Sequence, residues 1–285
     1  MDIKTVGVAG FGLMGSGIVQ VCAQAGYKVV VLETTDDLLQ SGFSRLERSL
    51  AGAVGKGKLQ ADEMAAIRAR VQGTKSVAEL AAADFIIEAI IENLDLKREL
   101  FADLDKISPE HTIFASNTSS MQVIDIASAT RRGDRFVGMH FFNPVPTMKL
   151  VEVVRSILSS DSSIAIATKL CESFGKKPIV AKDGAGFIVN LLLVPYLLDA
   201  IRALEKGVAT KEDIDTGMML GCGYPMGPLT LLDYVGLDTV YYITRIMFDE
   251  FKDPKYSAPP LLKQMVTAGF YGKKSGKGFY DYKKN

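Results

Sequence analysis

Histidine is scarce in this 285-residue chain, occurring only at His111 and His140. An imidazole that does chemistry here has just two possible positions. Cysteine is nearly as rare: Cys22, Cys171 and Cys222 lie far apart and form no CxxC pair. That argues against a metal site or a disulfide framework and fits a reducing, cytoplasmic setting. Neither charge is in excess, with 33 basic residues against 33 acidic ones. No global field therefore recruits nucleic acid or an anionic membrane, and any anion must be met by local groups. Long apolar runs are missing too. The longest, "GAGFIVNLLLVPYLL" from Gly184 to Leu198, is too short to span a bilayer and carries Asn190 and Pro195. It reads as a buried helix. The opening "MDIKTVGVAGFG" enters a strand pattern at once, without the pattern of a cleavable signal.

What is present is an ordinary globular composition. At 48% hydrophobic and 23% charged, the chain can bury a sizeable core, as one large domain or two unequal ones. Short apolar runs alternate with helical patterns over the first two thirds. The expected strands are 5–9, 28–33, 84–89, 112–116, 135–140, 149–154 and 177–181. Most are continuous apolar runs, the mark of strands covered on both faces. The expected class is α/β, a Rossmann-like domain with a mostly parallel sheet. Between Asp36 and Val71 two helices broken at "GKGK" suggest a helical arm. After "KDGAG" no strand returns, and helices are expected at about 187–207, 210–222, 228–251 and 259–268. The expected domains are 1–183 and an all-α 184–285.

"VAGFGLMGSG" places Gly10-x-Gly12-x-x-Gly15 directly after the first strand and opens a helix. Such glycines allow a tight turn, approach of a pyrophosphate to the backbone, and close helix–strand packing at a helix N-terminus. Gly10, Gly12, Leu13, Met14 and Gly15 are thus candidate cofactor contacts. Glu33 ends the second strand, where a carboxylate can accept hydrogen bonds from ribose hydroxyls and would repel a 2′-phosphate. Thr34 and Thr35 follow, with no arginine for that phosphate, so NAD is expected over NADP.

His140 falls at the C-terminal end of an expected strand, the edge where open α/β sheets bind ligands. Glu152 lies on the next expected strand, across the turn "FFNPVP". The pair is either a satisfied piece of core or a base with its orienting acid. Alcohol oxidation with NAD needs a base for the hydroxyl proton, and an imidazole with a carboxylate on its other nitrogen suits that task. His111, in "SPEHTIF", is expected at the opposite edge of the sheet. "SNTSS" ends a strand at the ligand edge, so Asn117 and Ser119 can present polar groups there or merely cap a helix. Asn190 inside an apolar helix is costly unless paired, either in a site or between helices. Lys56 and Lys58, with Arg45 and Arg48, form a basic strip suited to phosphates or simply solvated.

The motifs "GFGLMGSGI", "EAIIENLDLKRELF", "FASNTSS", "HFFNPVPTMKLVEVV", "KDGAGFIVNLLLVPYLLDA", "LGCGYPMGPLTLLDYVGLDT" and "GKKSGKGFYDY" closely resemble the short-chain L-3-hydroxyacyl-CoA dehydrogenase family. The resemblance includes microbial 3-hydroxybutyryl-CoA dehydrogenases and runs over essentially the whole chain. It implies that His140 is the catalytic base and Glu152 its partner, with Ser119 and Asn190 near the reacting oxygen. Asn143 would contact both nicotinamide and substrate. It further implies that Glu92, Lys97, Asn117, Ser119 and Lys274 contact the dinucleotide, and that Ser49 and Lys56 contact coenzyme A. An acyl-CoA substrate and a homodimer are the implied partners. Two other readings stay open: a dehydrogenase of a free 3-hydroxy acid, and a non-catalytic NAD-binding protein of crystallin type.

Overall fold

The apolar runs assemble into one eight-stranded sheet. The computed structural model describes residues 2–282. The strands are β1 (Thr5–Ala9), β2 (Lys28–Leu32), β3 (Val71–Thr74), β4 (Phe85–Glu88), β5 (Ile113–Ser116), β6 (Phe136–Phe141), β7 (Leu150–Arg155) and β8 (Lys177–Lys182). Their spatial order is β3-β2-β1-β4-β5-β6-β7-β8. Neighbours pair in parallel except β6 and β7, which are antiparallel. Every residue of β4 and β5 is buried, as continuous apolar runs require when helices cover both faces. Strand order reverses between β1 and β4, which opens a crevice at their C-terminal ends.

The helices of this first unit are α1 (Leu13–Gln24), α2 (Asp36–Gly55), α3 (Ala61–Ala69), α4 (Val77–Ala81), α5 (Leu94–Ile107), α6 (Val123–Ala127) and α7 (Asp161–Ser173). The expected arm is α2 and α3, broken at the glycine–lysine stretch. On α2 only Gly42, Leu46 and Leu50 are buried, a four-residue spacing that turns one stripe inward. Leu46, Leu50 and Ile67 of α3 join the core of the sheet domain. Thr35 caps α2 by accepting from Leu38 N–H, and Asp36 and Asp37 in the first turn favour the helix dipole.

The chain separates into two units that divide after Gly184. The second unit is helical: α8 (Val189–Glu205), α9 (Lys211–Cys222), α10 (Pro228–Val235), α11 (Leu237–Phe251) and α12 (Pro260–Thr267). Its core gathers Leu198, Ile201, Leu229, Leu232, Leu237 and Met247. One expectation fails here. The single helix read at 228–251 is two, because Gly236 takes φ +100°, a left-handed conformation that ends α10 at Val235 and restarts the helix as α11 at Leu237. "GYPMGPLT" leads into the start of α10 at Pro228. Its cap is Asp215, which accepts from Leu229 N–H and Thr230 N–H at 2.8 and 3.0 Å. Asp233 holds the terminal "GFYDY" by accepting from Phe279 and Tyr280 N–H, and burial keeps its carboxyl above the usual range. Among the described residues no helix is long and apolar enough to cross a membrane.

Candidate active site

The glycine loop occupies the crevice at the reversal point. Gly10 has φ +94°, and a Cβ there would stand 2.6 Å from Ala89 O at the end of β4. A Cβ on Gly15 would collide with the Gly10 carbonyl oxygen, so only glycine lets α1 pack this tightly on the turn. Gly12 caps α1 without a side-chain bond, a Cβ on it would meet nothing within 4 Å, and no acid stands in the first turn. The helix N-terminus thus offers N–H groups and positive dipole to an anion, next to open space. Leu13 is exposed beside it and Met14 half-buried. These features fit a dinucleotide pyrophosphate.

The peptide of Phe11, at the centre of the loop, is clamped from both sides. Its N–H donates to Glu33 Oε1 at 2.6 Å, and its C=O accepts from Arg45 Nη2 at 2.7 Å. Glu33 Oε2 also accepts from Thr34 N–H at 3.2 Å. A carboxylate has about four lone-pair sites, so these bonds leave capacity for ribose hydroxyls. Arg45 differs from the expected basic strip: its guanidinium turns inward to the loop, leaving exposed Arg48, Lys56 and Lys58 on the outer side.

His140 and Glu152 are cross-strand partners in the β6–β7 ladder. Directly opposed residues project from the same face, so Nδ1 of His140 meets Glu152 Oε2 at 2.6 Å. Both side chains are buried, His140 at 8% and Glu152 at 0% exposure. A one-residue slip in register would send Glu152 to the other face. An ionised carboxylate can only accept, which puts the proton on Nδ1 and makes Nε2 the nitrogen whose lone pair can take up a proton. The Phe142 ring lies 4.5 Å from the imidazole, and Asn117 Oδ1 accepts from Phe141 N–H at 2.9 Å, fixing the end of β6. The following turn begins with the exposed Asn143, joined to Pro144 by a cis peptide. Buried Lys176 ties that turn down, donating to the carbonyls of Val145 and Met148 at 2.6 and 2.8 Å.

A third cluster stands at the ends of β4 and β5. Lys97 of α5 is 1% exposed, and its ammonium lies 2.5 Å from Glu88 Oε1 and 3.0 Å from Glu92 Oε2. Burial alone would lower its pKa, but the two carboxylates outweigh it and hold the ammonium above the ordinary lysine range. Glu92 Oε1 accepts from Ser119 N–H at 2.8 Å and Thr118 Oγ1 at 2.9 Å, with Ser119 Oγ at 3.3 Å.

Ser49 is exposed on α2 and Lys56 at its C-terminal cap. In the second unit Asn190 sits half-buried in the first turn of α8, and Lys274 pairs with Asp238 at 2.6 Å. His111 stands at the opposite edge of the sheet, 58% exposed and 3.4 Å from Asp84. Among the described residues no group of three or more His, Cys, Asp or Glu could hold a metal ion.

Two family models match in tandem. Residues 5–184 match the 3-hydroxyacyl-CoA dehydrogenase NAD binding domain, and residues 186–282 match the C-terminal domain of the same enzymes. The chain belongs to the 3-hydroxyacyl-CoA dehydrogenase family. Its cofactor is NAD. The mitochondrial hydroxyacyl-coenzyme A dehydrogenase of Rattus norvegicus is 48% identical to this family member over 99% of its chain and 92% of the relative. The 3-hydroxybutyryl-CoA dehydrogenase of Mycobacterium tuberculosis is 45% identical over 98% and 99%. The crystal structure of (S)-3-hydroxybutyryl-CoA dehydrogenase from Ralstonia eutropha superposes with a TM-score of 0.95 at 44% identity, over 99% of this chain and all of that one.

Sequence reasoning missed three side chains that hold these loops and strand ends: Glu88 on Lys97, Lys176 on the turn after His140, and Arg45 on the glycine loop. Glu88 carried a signal, a single acid closing an apolar strand run. Lys176 and Arg45 carried none, because each was one basic residue among several.

Proposed function

We propose that this dehydrogenase oxidises (S)-3-hydroxyacyl-CoA to 3-ketoacyl-CoA with His140 as general base and Glu152 as its orienting acid. The observation that carries the reading is the buried 2.6 Å contact between His140 Nδ1 and Glu152 at the C-terminal end of β6. Bound NAD supplies the acceptor for the hydride that leaves C3. His140 Nε2 takes the hydroxyl proton, and Glu152 stabilises the imidazolium that results. In the reverse direction the imidazolium returns that proton to the oxygen. Ser119 and Asn190 hold the reacting oxygen in line. Asn143 bears on both nicotinamide and substrate. Glu92, Asn117 and Lys274 serve the dinucleotide, while Ser49 and Lys56 meet coenzyme A.

The relatives' names favour a short acyl chain, as in 3-hydroxybutyryl-CoA. Turnover of acetoacetyl-CoA against free acetoacetate, each with NADH, tests the substrate class. Preference for the free acid would make this a hydroxy-acid dehydrogenase. No NADH oxidation with any 3-ketoacyl-CoA would leave a non-catalytic NAD-binding protein.

Glu33 has two duties in this reading, holding the Phe11 peptide and receiving the ribose. Glu33→Ala should therefore weaken NAD binding by at least about tenfold, the worth of one hydrogen bond to a charged group, and slow turnover at saturating NAD much less. Calorimetric titration with NAD checks this, and an unchanged affinity would remove the ribose contact. We also propose a homodimer formed through the helical second unit, where Leu192 and Leu220 are 70% and 81% exposed. Sedimentation as a monomer at working concentration would exclude it. The three free cysteines support a reducing, cytoplasmic setting.

A further inference from the structure

β4 ends on Glu88, whose side chain is wholly buried and fully engaged. Its Oε2 accepts from the Ser116 hydroxyl at 2.6 Å, and its Oε1 accepts from Ile90 N–H at 2.8 Å and Lys97 Nζ at 2.5 Å. Lys97 passes the contact to Glu92 Oε2, and Glu92 Oε1 passes it to Thr118 and Ser119. An unbroken line of charge-assisted contacts thus runs from the middle of the sheet to the loop after β5.

Stability is a poor reason for such a line. Desolvation of buried ions largely cancels their attraction, and well-packed apolar side chains often replace them at no loss. Position is a better one. A reacting group misplaced by about 1 Å can cost roughly 10²-fold in rate, and Ser119 sits on a loop rather than on a strand. The two oxygens of Glu92 divide the work, one taking Lys97 and the other the loop. Glu92 itself lies between β4 and α5 and is 27% exposed, so it needs an anchor. Lys97 is that anchor, and Glu88 fixes Lys97.

We propose that Glu88 is a positioning residue of the active site, which through Lys97 and Glu92 holds Ser119 toward the reacting oxygen. The proposal rests on the reading of Ser119 given above. At 0% exposure Glu88 touches neither substrate nor cofactor, and at 1% Lys97 acts on a bound dinucleotide through Glu92.

Glu88→Gln keeps the side chain's shape and removes the charge that fixes Lys97. In the full chain, kcat for acetoacetyl-CoA reduction at saturating NADH should fall about tenfold. Amide hydrogen exchange at Ser119, measured without cofactor, should quicken about tenfold. In a Lys97→Met background the same substitution should have a much smaller effect on both quantities, because the path from Glu88 to Ser119 through Lys97 and Glu92 is then already broken. Wild-type kcat and wild-type Ser119 exchange in Glu88→Gln would overturn the proposal, as would losses that multiply in the double variant. Ser119→Ala keeps the two readings apart. If that variant turns over like the wild type, the catalytic reading of Ser119 falls, and exchange at Ser119 alone decides the anchoring. Should Lys97→Met fail to fold, the near-isosteric Glu88→Gln decides by kcat and exchange together.

Discussion

Replacing His140 with alanine should lower kcat by roughly two to four orders of magnitude, the usual contribution of a general base, and leave NAD affinity nearly unchanged. The two halves of this expectation come from different strands. The imidazole stands at the end of β6, whereas the glycine loop and the Glu33 and Arg45 side chains that clamp it gather around the end of β1. No second histidine can substitute, because His111 lies at the opposite edge of the sheet. Single-turnover oxidation of 3-hydroxybutyryl-CoA under saturating NAD isolates the chemical step, and calorimetry reports the cofactor. Turnover near the wild-type value would take His140 out of the mechanism. A parallel loss of NAD affinity would make it a structural residue instead.

The glycine turn and the His140–Glu152 contact could be read from the chain because each uses rare or conformationally demanding residues. Three glycines at fixed spacing after an apolar run and before a helix are what a phosphate-binding turn requires, and little else requires them. A histidine and a glutamate at the facing ends of two apolar runs are legible once the intervening turn is seen, since antiparallel pairing then sets them opposite each other. The edge strand β3 was not legible. It is four residues long, "VQGT", with Val71 its one apolar side chain in the core, so neither alternation nor an apolar run announces it. The break at Gly236 was hidden because helical periodicity continues on both sides of it. Contacts between residues distant in sequence were hidden for a different reason. Arg45 to Phe11, Asp215 to the start of α10, and Lys176 to the turn after His140 each join a polar group to backbone. A backbone carbonyl or N–H has the same identity at every position, and so no residue pattern marks the partner. Lys97 combines both cases. The helical pattern of "LDLKRELF" marks it as one more polar position, yet the fold buries it between two acids that only tertiary structure brings together.

Glu152→Gln should be nearly as damaging to turnover as the loss of His140, although it changes a single buried oxygen to nitrogen. The carboxylate is an acceptor whichever oxygen faces the ring, so it admits only the tautomer with its proton on Nδ1. Glutamine can present its NH₂ group instead, donating to Nδ1 and leaving the proton on Nε2, where it blocks abstraction of the substrate's proton. It also withdraws the negative charge that stabilises the imidazolium. The corresponding Asp-to-Asn change in serine proteases lowers kcat by about 10⁴ through the wrong tautomer, and a loss of roughly 10² to 10⁴ is expected here. Folding should be spared: glutamine matches the volume of glutamate and can still hydrogen-bond Nδ1, so the change leaves neither an unpaired buried charge nor an unsatisfied polar group. The measurement is therefore kcat beside the thermal unfolding midpoint, with substrate KM as a control. Glu152→Asp, which keeps the charge but shortens the reach from β7, should lie between glutamine and wild type. If Glu152→Gln retains kcat within about threefold of wild type, the carboxylate does not set the tautomer, and the 2.6 Å contact is packing rather than mechanism.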